Sequence, residues 1–119
     1  MTIATDIIST LQNYAGLSAL VSNRNLTKVN QNPTYPYNVL SFEDQPINNV
    51  EGESSVNNTL LQVDTYAETA SEISDIMVQV QAALDASTTL KSVCTYRDYF
   101  NFDYDLDISR GVMRFSIWQ

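Results

Sequence analysis

Between Leu60 and Trp118 the hydrophobic period of the chain changes from two to helical and back again, and this limits the folds open to it. Leu61, Val63 and Thr65 alternate with Leu60, Gln62, Asp64 and Tyr66, as a strand does when it turns one face to a core. At Thr69-Ala70-Ser71-Glu72 the pattern becomes helical. This tetrapeptide fits a capping box, in which the Thr hydroxyl and Glu carboxylate satisfy backbone donors reciprocally. Ile73, Ile76, Met77, Val80, Ala83 and Leu84 then follow on one stripe, predicting a helix from about Ala70 to Ala86 that covers the preceding sheet. Val93 to Phe100 and Ile108 to Trp118 are rich in β-branched and aromatic residues and are expected to pair as a hairpin across the acidic segment Asn101 to Asp107. In the last strand Met113, Phe115 and Ile117 share one face, Val112, Arg114 and Ser116 the other, and Gly111 is a candidate bulge.

The first half has weaker periodicity. Ile3, Ile7, Ile8, Leu11 and Tyr14 lie on one helical stripe, predicting a helix from about Thr5 to Tyr14. Gly16 interrupts it, and Leu17, Leu20 and Val21 add a turn before the Asn-rich reversal at Asn23 to Asn25. Leu26 to Val29 is a short strand candidate. Pro33 and Pro36 make Asn30 to Pro36 a loop, because proline withholds a backbone donor and biases its predecessor to extended geometry. Tyr37 to Glu43 alternates as a strand. From Asp44 to Asn58 the sequence is polar and acidic, with Pro46 and Gly52, and reads as a long exposed loop of the kind that is functional or ordered by a partner. The expected fold is α+β: a mostly antiparallel sheet of about four to five strands with two helices on one face, in the order α-β-β-β-α-β-β, as one domain over residues 1–119.

A chain of 119 residues can bury roughly two-thirds of its unfolded surface in one core. Its 14 acidic and 6 basic residues give a net charge of −8, which disfavours clamping nucleic acid, since that requires clustered Lys and Arg. The charged share of 17% is low for a free monomer, consistent with surface covered by partners. Cys94, the single cysteine, has no intramolecular disulfide partner and reads as a small buried hydrophobe. The start of the chain lacks a basic n-region and a long apolar core, and no stretch approaches the roughly 20 apolar residues of a membrane span. The expectation is therefore a cytoplasmic chain with no membrane contact. In that setting the glycosylation sequons Asn25-Leu26-Thr27 and Asn57-Asn58-Thr59 carry no meaning.

Catalytic chemistry finds little support. There is no histidine, so metal sites and proton shuttles lose their commonest residue, and Cys94 has no base to activate it. Asp103-x-Asp105-x-Asp107 resembles the start of a calcium loop, but the sixth position is Ile108 where glycine is needed and the twelfth is Arg114 where a glutamate is needed. A solvated acidic turn accounts for it, and a metal-dependent hydrolase built on it is a distant reading. Asp64 is the one carboxylate in a central strand, read as a solvent-side position or a partner for Arg97 or Arg114. The three glycines are isolated, and none opens a helix as a phosphate loop would. The expectation is no enzyme, no cofactor and no metal.

Several segments resemble one family: a leading helix, the strand entry Pro36-Tyr37-Asn38-Val39, the junction Leu61-Gln62-Val63-Asp64-Thr65-Tyr66-Ala67, the second helix closing on Leu84, Tyr96-Arg97-Asp98, and the ending Arg114-Phe115-Ser116-Ile117-Trp118. In this order they resemble the tail-completion proteins of long-tailed bacteriophages, also called tail terminator or tail-to-head joining proteins. The resemblance implies a structural virion protein, assembled in the host cytoplasm, that ends the tail tube. It further implies a ring, expected to be a hexamer, that meets the tail tube protein and the head connector or head-completion protein while DNA passes through its lumen without specific binding.

For such a ring, Glu51, Gly52 and Glu53 of the long loop and Asp103, Asp105 and Asp107 of the hairpin are candidates for lumen or axial contact. Tyr35, Tyr37, Tyr99, Phe102 and Tyr104, dense around the loop ends, are candidates for the subunit interface. The alternatives are a small head-closure or minor capsid component, or a monomeric ligand- or peptide-binding accessory domain with a concave apolar pocket.

Overall fold

The computed structural model describes residues 3–21, 24–26, 35–44, 48–49, 52–53, 58–103 and 108–118. In chain order these form α1 (Ile3–Asn13), α2 (Ala15–Val21), β1 (Asn25–Leu26), β2 (Tyr37–Asp44), β3 (Asn48–Asn49), β4 (Gly52–Glu53), β5 (Asn58–Ala67), α3 (Ala70–Asp85), β6 (Lys91–Asp103) and β7 (Ile108–Trp118). The main sheet runs β1-β2-β5-β7-β6, and β3 and β4 form a separate two-stranded ladder. The pairs β2–β5, β5–β7 and β6–β7 are antiparallel, while β1 joins β2 in parallel. The α+β expectation holds, and so does its mostly antiparallel sheet.

The helices lie on one face of this sheet, and matching alternation explains why. Leu61 pairs with Phe115 and Val63 with Met113, so the apolar sets of β5 and β7 point the same way. Leu40 on β2 joins them opposite Val63. Against this face α3 lays Ile73, Ile76, Met77, Val80, Ala83 and Leu84, all buried, and α1 and α2 add Ile7, Leu11, Leu17 and Val21. Burying each of these larger side chains contributes about 1.5–3 kcal/mol.

The start of α3 is set by Thr69, whose Oγ1 accepts the Glu72 N–H at 3.2 Å. The Glu72 carboxylate accepts the Thr69 hydroxyl at 3.1 Å, so the reciprocal half of the box closes through the side chain. After α3, Ser87 Oγ accepts the N–H groups of Thr89 and Leu90 at 3.3 and 3.1 Å and turns the chain into β6.

Several sequence expectations are refined by the structure. The described residues form three helices, since the first helical stretch divides at Tyr14, whose carbonyl accepts the N–H groups of Leu17 and Ser18 at 3.1 and 3.0 Å. The division lets both halves turn their leucines to the core, and Gly16 lies inside α2. The first strand starts one residue earlier than expected, at Asn25, and pairs through Leu26, while Thr27 to Val29 lie outside the described residues. The stretch from Asp44 to Asn58 is shortened from both ends by β2 and β5 and contains the β3–β4 ladder. β6 continues to Asp103 rather than ending at Phe100.

Gly111 is not the bulged residue. It pairs regularly with Thr65, and the irregularities lie in β6, between Cys94 and Tyr96 and between Asp98 and Asn101. Two β6 residues stand opposite Gly111, the two-against-one count of a bulge. Glycine is needed there for another reason: a Cβ would lie 2.6 Å from Ile73 Cγ2 and 2.7 Å from Met77 Sδ, so α3 rests directly on this backbone.

Candidate interaction surface

The sheet face opposite the helices is built from the other alternation. β5 contributes Leu60, Gln62, Asp64 and Tyr66, and β7 contributes Arg110, Val112, Arg114, Ser116 and Trp118. On β6 the bulge at Thr95 shifts the parity, so Val93, Tyr96 and Asp98 belong to this face while Cys94 and Arg97 turn to the helix side. Arg97 accordingly donates to Gln81 of α3 and to Cys94 Sγ.

Polar side chains on this face form a connected row. Arg110 donates to Asp64 at 2.8 Å, and the Gln62 amide donates to the same carboxylate at 3.2 and 3.3 Å. Gln62 Oε1 accepts from Arg114 Nε at 3.1 Å, Arg114 lies over the Tyr96 ring at 4.7 Å, and the Tyr96 hydroxyl donates to Asp98 at 3.4 Å. Asp64 therefore lies on the side of the sheet away from the helices, as the solvent-side reading had it, but it is buried there by its neighbours and paired with Arg110 rather than with Arg97 or Arg114. Arg110 sits opposite Tyr66, one diagonal step from Asp64, within reach of a long side chain. Held by an arginine and an amide, this carboxylate ties β5 to β7.

At one end of β2 and β5 the row meets a tyrosine cluster. The Tyr37 and Tyr66 rings stack with centroids 5.1 Å apart, Tyr35 lies tilted at 5.5 Å from Tyr37, and Arg110 lies 5.9 Å over Tyr66. Burial, then Tyr35 and Tyr66, push the Tyr37 phenol above its ordinary value of 10.0. The unfolded chain then loses this proton at lower pH than the folded one. The contribution is complete below pH ~10 and is lost as pH rises through the raised value. Urea unfolding of the wild type between pH 8 and 11.5 is expected to weaken above pH ~10, and Tyr37→Phe is expected to flatten that decline. Identical slopes for the two proteins would remove Tyr37 from this account.

Beside the row, Ser41, Glu43, Leu60, Gln62, Thr95 and Arg114 line an open groove of about 480 Å³. Its rim is charged and amide-bearing and suits a peptide or protein edge better than a small apolar ligand. Among the described residues no group of three or more Cys, Asp or Glu could hold a metal ion, and no helix is long and apolar enough to cross a membrane.

The residues singled out from the sequence are only partly brought together. Tyr35 and Tyr37 share the aromatic cluster, and Tyr37 is covered by its own chain, being 3% exposed. The backbone places Tyr99, Phe102 and Asp103 at the far end of β6 and Gly52 and Glu53 in β4. Glu51, Tyr104, Asp105 and Asp107 lie outside the described residues. Sequence reasoning missed Gln62, Arg110 and Tyr96. The available signal was parity: Arg110 and Arg114 share one face of the last strand, and Gln62 and Asp64 share one face of the strand it pairs with.

A search of the curated proteins finds no match. A family model described as Tail completion protein gp17 matches residues 5–119.

Proposed function

The chain belongs to the tail completion protein family of bacteriophages, and we propose that it ends the tail tube and joins it to the head connector as a ring, of six subunits, around the DNA channel. Membership makes it a structural protein of the phage tail and so a component of the virion. The match over residues 5–119 is the observation that carries the reading, because it spans both the helix layer and the whole sheet.

Two further observations support the proposal. Six copies at −8 each bring about −48 charges, a field that repels phosphates and keeps passing DNA from adhering. The sheet face away from the helices is rich in amides, aromatics and arginine, a composition suited to protein contact. Within the ring, Glu51, Gly52, Glu53, Asp103, Asp105 and Asp107 face the lumen or the axial neighbours. Tyr35, Tyr99, Phe102 and Tyr104 serve subunit contacts, with Tyr37 backing Tyr35. The protein acts by binding and shape, without catalysis.

Light scattering after size exclusion tests this, over a range of concentration and with purified tail tubes added. The expected result is a closed species near six subunits, or a monomer that becomes ring-sized on tubes. A stable monomer that ignores tubes would overturn the proposal in favour of a ligand- or peptide-binding domain using the groove beside Arg114. Rings that bind connectors but not tubes would assign the protein to head closure.

A further inference from the structure

We infer that, beside the aromatic contacts named above, the ring contact joins the outer stripe of α3 on one subunit to the Val93–Tyr96 patch of β6 on the next, the partner being a second copy of this chain. The inference rests on the ring reading above and names the surfaces that would build it.

Three large apolar side chains are exposed among the described residues: Val78 at 57%, Val93 at 54% and Tyr96 at 42%. Val78 lies on the outer stripe of α3, in line with the exposed Asp75 and Asp85, and α3 contains no basic residue. Val93 and Tyr96 lie on the opposite side of the molecule, on the bare sheet face. Their charged neighbours are the exposed Lys91 and Arg114, with Arg114 stacked over Tyr96. Of the carboxylates on that face, Asp64 is held by Arg110 and Asp98 by the Tyr96 hydroxyl, while the exposed Glu43 stands three strands away from Val93, on β2. Each patch thus has an apolar centre: Asp75 and Asp85 flank Val78, with the Arg97 guanidinium held nearby on Gln81, and Lys91 and Arg114 flank Val93 and Tyr96. Such an arrangement favours contact between unlike patches and penalises contact between like ones.

The position of the patches decides the kind of assembly. They sit on opposite layers of one subunit, so joining them is a heterologous contact that leaves a free patch at each end, and it builds the ring of the reading above where the rotation between successive copies closes. An isologous contact would stop at a dimer. The rim charges also make assembly weaken as salt rises, since exposed pairs are screened.

The test reverses the charges of each patch in the full chain, as Lys91→Glu with Arg114→Glu and as Asp75→Lys with Asp85→Lys. Mass is measured by light scattering, alone and on tail tubes, and folding is checked by near-ultraviolet circular dichroism. Each pair of substitutions is expected to raise the concentration for half-assembly at least tenfold, and the chain carrying all four is expected to regain assembly. Val78→Ser gives the same loss without altering charge and serves if a reversed variant fails to fold. Folded variants that assemble like the wild type, a four-fold variant that stays monomeric, or rings that form normally and lose only tube binding would each overturn this contact while the ring reading stands. A wild type that is monomeric under every condition would overturn both.

Discussion

Replacing Asn38 by alanine lowers the unfolding free energy by about 2–5 kcal/mol, because two buried groups lose their partners at once. Asn38 is 0% exposed and sits on β2, where its Nδ2 donates to Asn25 Oδ1 at 2.8 Å and its Oδ1 accepts the Thr65 hydroxyl at 2.7 Å. Its backbone N–H reaches Arg24 O at 2.9 Å, so the same residue ties β1 to the sheet edge while its side chain ties that edge to the centre. Thr65 and Asn25 are themselves buried, so the groups left behind are cut off from bulk solvent. Urea unfolding measures the loss. A triple variant with Asn25→Leu, Asn38→Leu and Thr65→Val is expected to be more stable than Asn38→Ala alone, since it removes the orphaned groups together. A triple variant weaker than the single one would show that the network contributes through shape and not through satisfied polarity.

Replacing Gly111 by valine costs about 3 kcal/mol, the upper part of the range for overpacking a filled site. The Cβ alone would press on Ile73 Cγ2 and Met77 Sδ, and valine adds two methyl groups in the same gap. Relief requires lifting α3 from β7, which would expose the stripe that buries Ile76, Val80 and Leu84. Combining Gly111→Ala with Ile73→Ala checks the contact directly. Truncating Ile73 alone should cost about 2–5 kcal/mol, and its cost should fall in the Gly111→Ala background, where the smaller side chain makes room. Additive losses would mean that the two residues do not press on one another.

The second effect bears on the proposed ring contact, since a contact through the outer stripe of α3 depends on that helix keeping its seat on β7. A substitution such as Gly111→Val is therefore expected to weaken assembly without touching either exposed patch.

Much of this architecture is readable in the sequence alone. The α3 helix was legible because its information is local: Thr69 and Glu72 three residues apart, then apolar residues three and four apart. The β5 and β7 strands were legible because their period of two sorts Val63, Met113 and Phe115 from Gln62 and Arg114. The charge, the lack of histidine and the spacing of Asp103, Asp105 and Asp107 argued against chemistry by what those residues can and cannot do. The order of elements also supported the resemblance that the family match bears out.

What stayed hidden depended on register. By simple alternation Val93, Thr95 and Arg97 share a face, which puts Arg97 within imagined reach of Asp64. The bulge at Thr95 moves Arg97 to the helix side and leaves Tyr96 beside Arg114. Arg110 finds Asp64 across 46 residues of sequence only because β5 and β7 pair at Tyr66 and Arg110. The reason Gly111 is glycine likewise lies in α3, more than thirty residues earlier, and not in its own strand. The sequence by itself determined which segments are helix or strand and which faces are apolar, because hydrophobic period and capping act over a few bonds. The tertiary structure alone decided which charges meet, where the bulges fall and which patches remain exposed, because those follow from strand register and helix seating, set only when distant parts of the chain pack together.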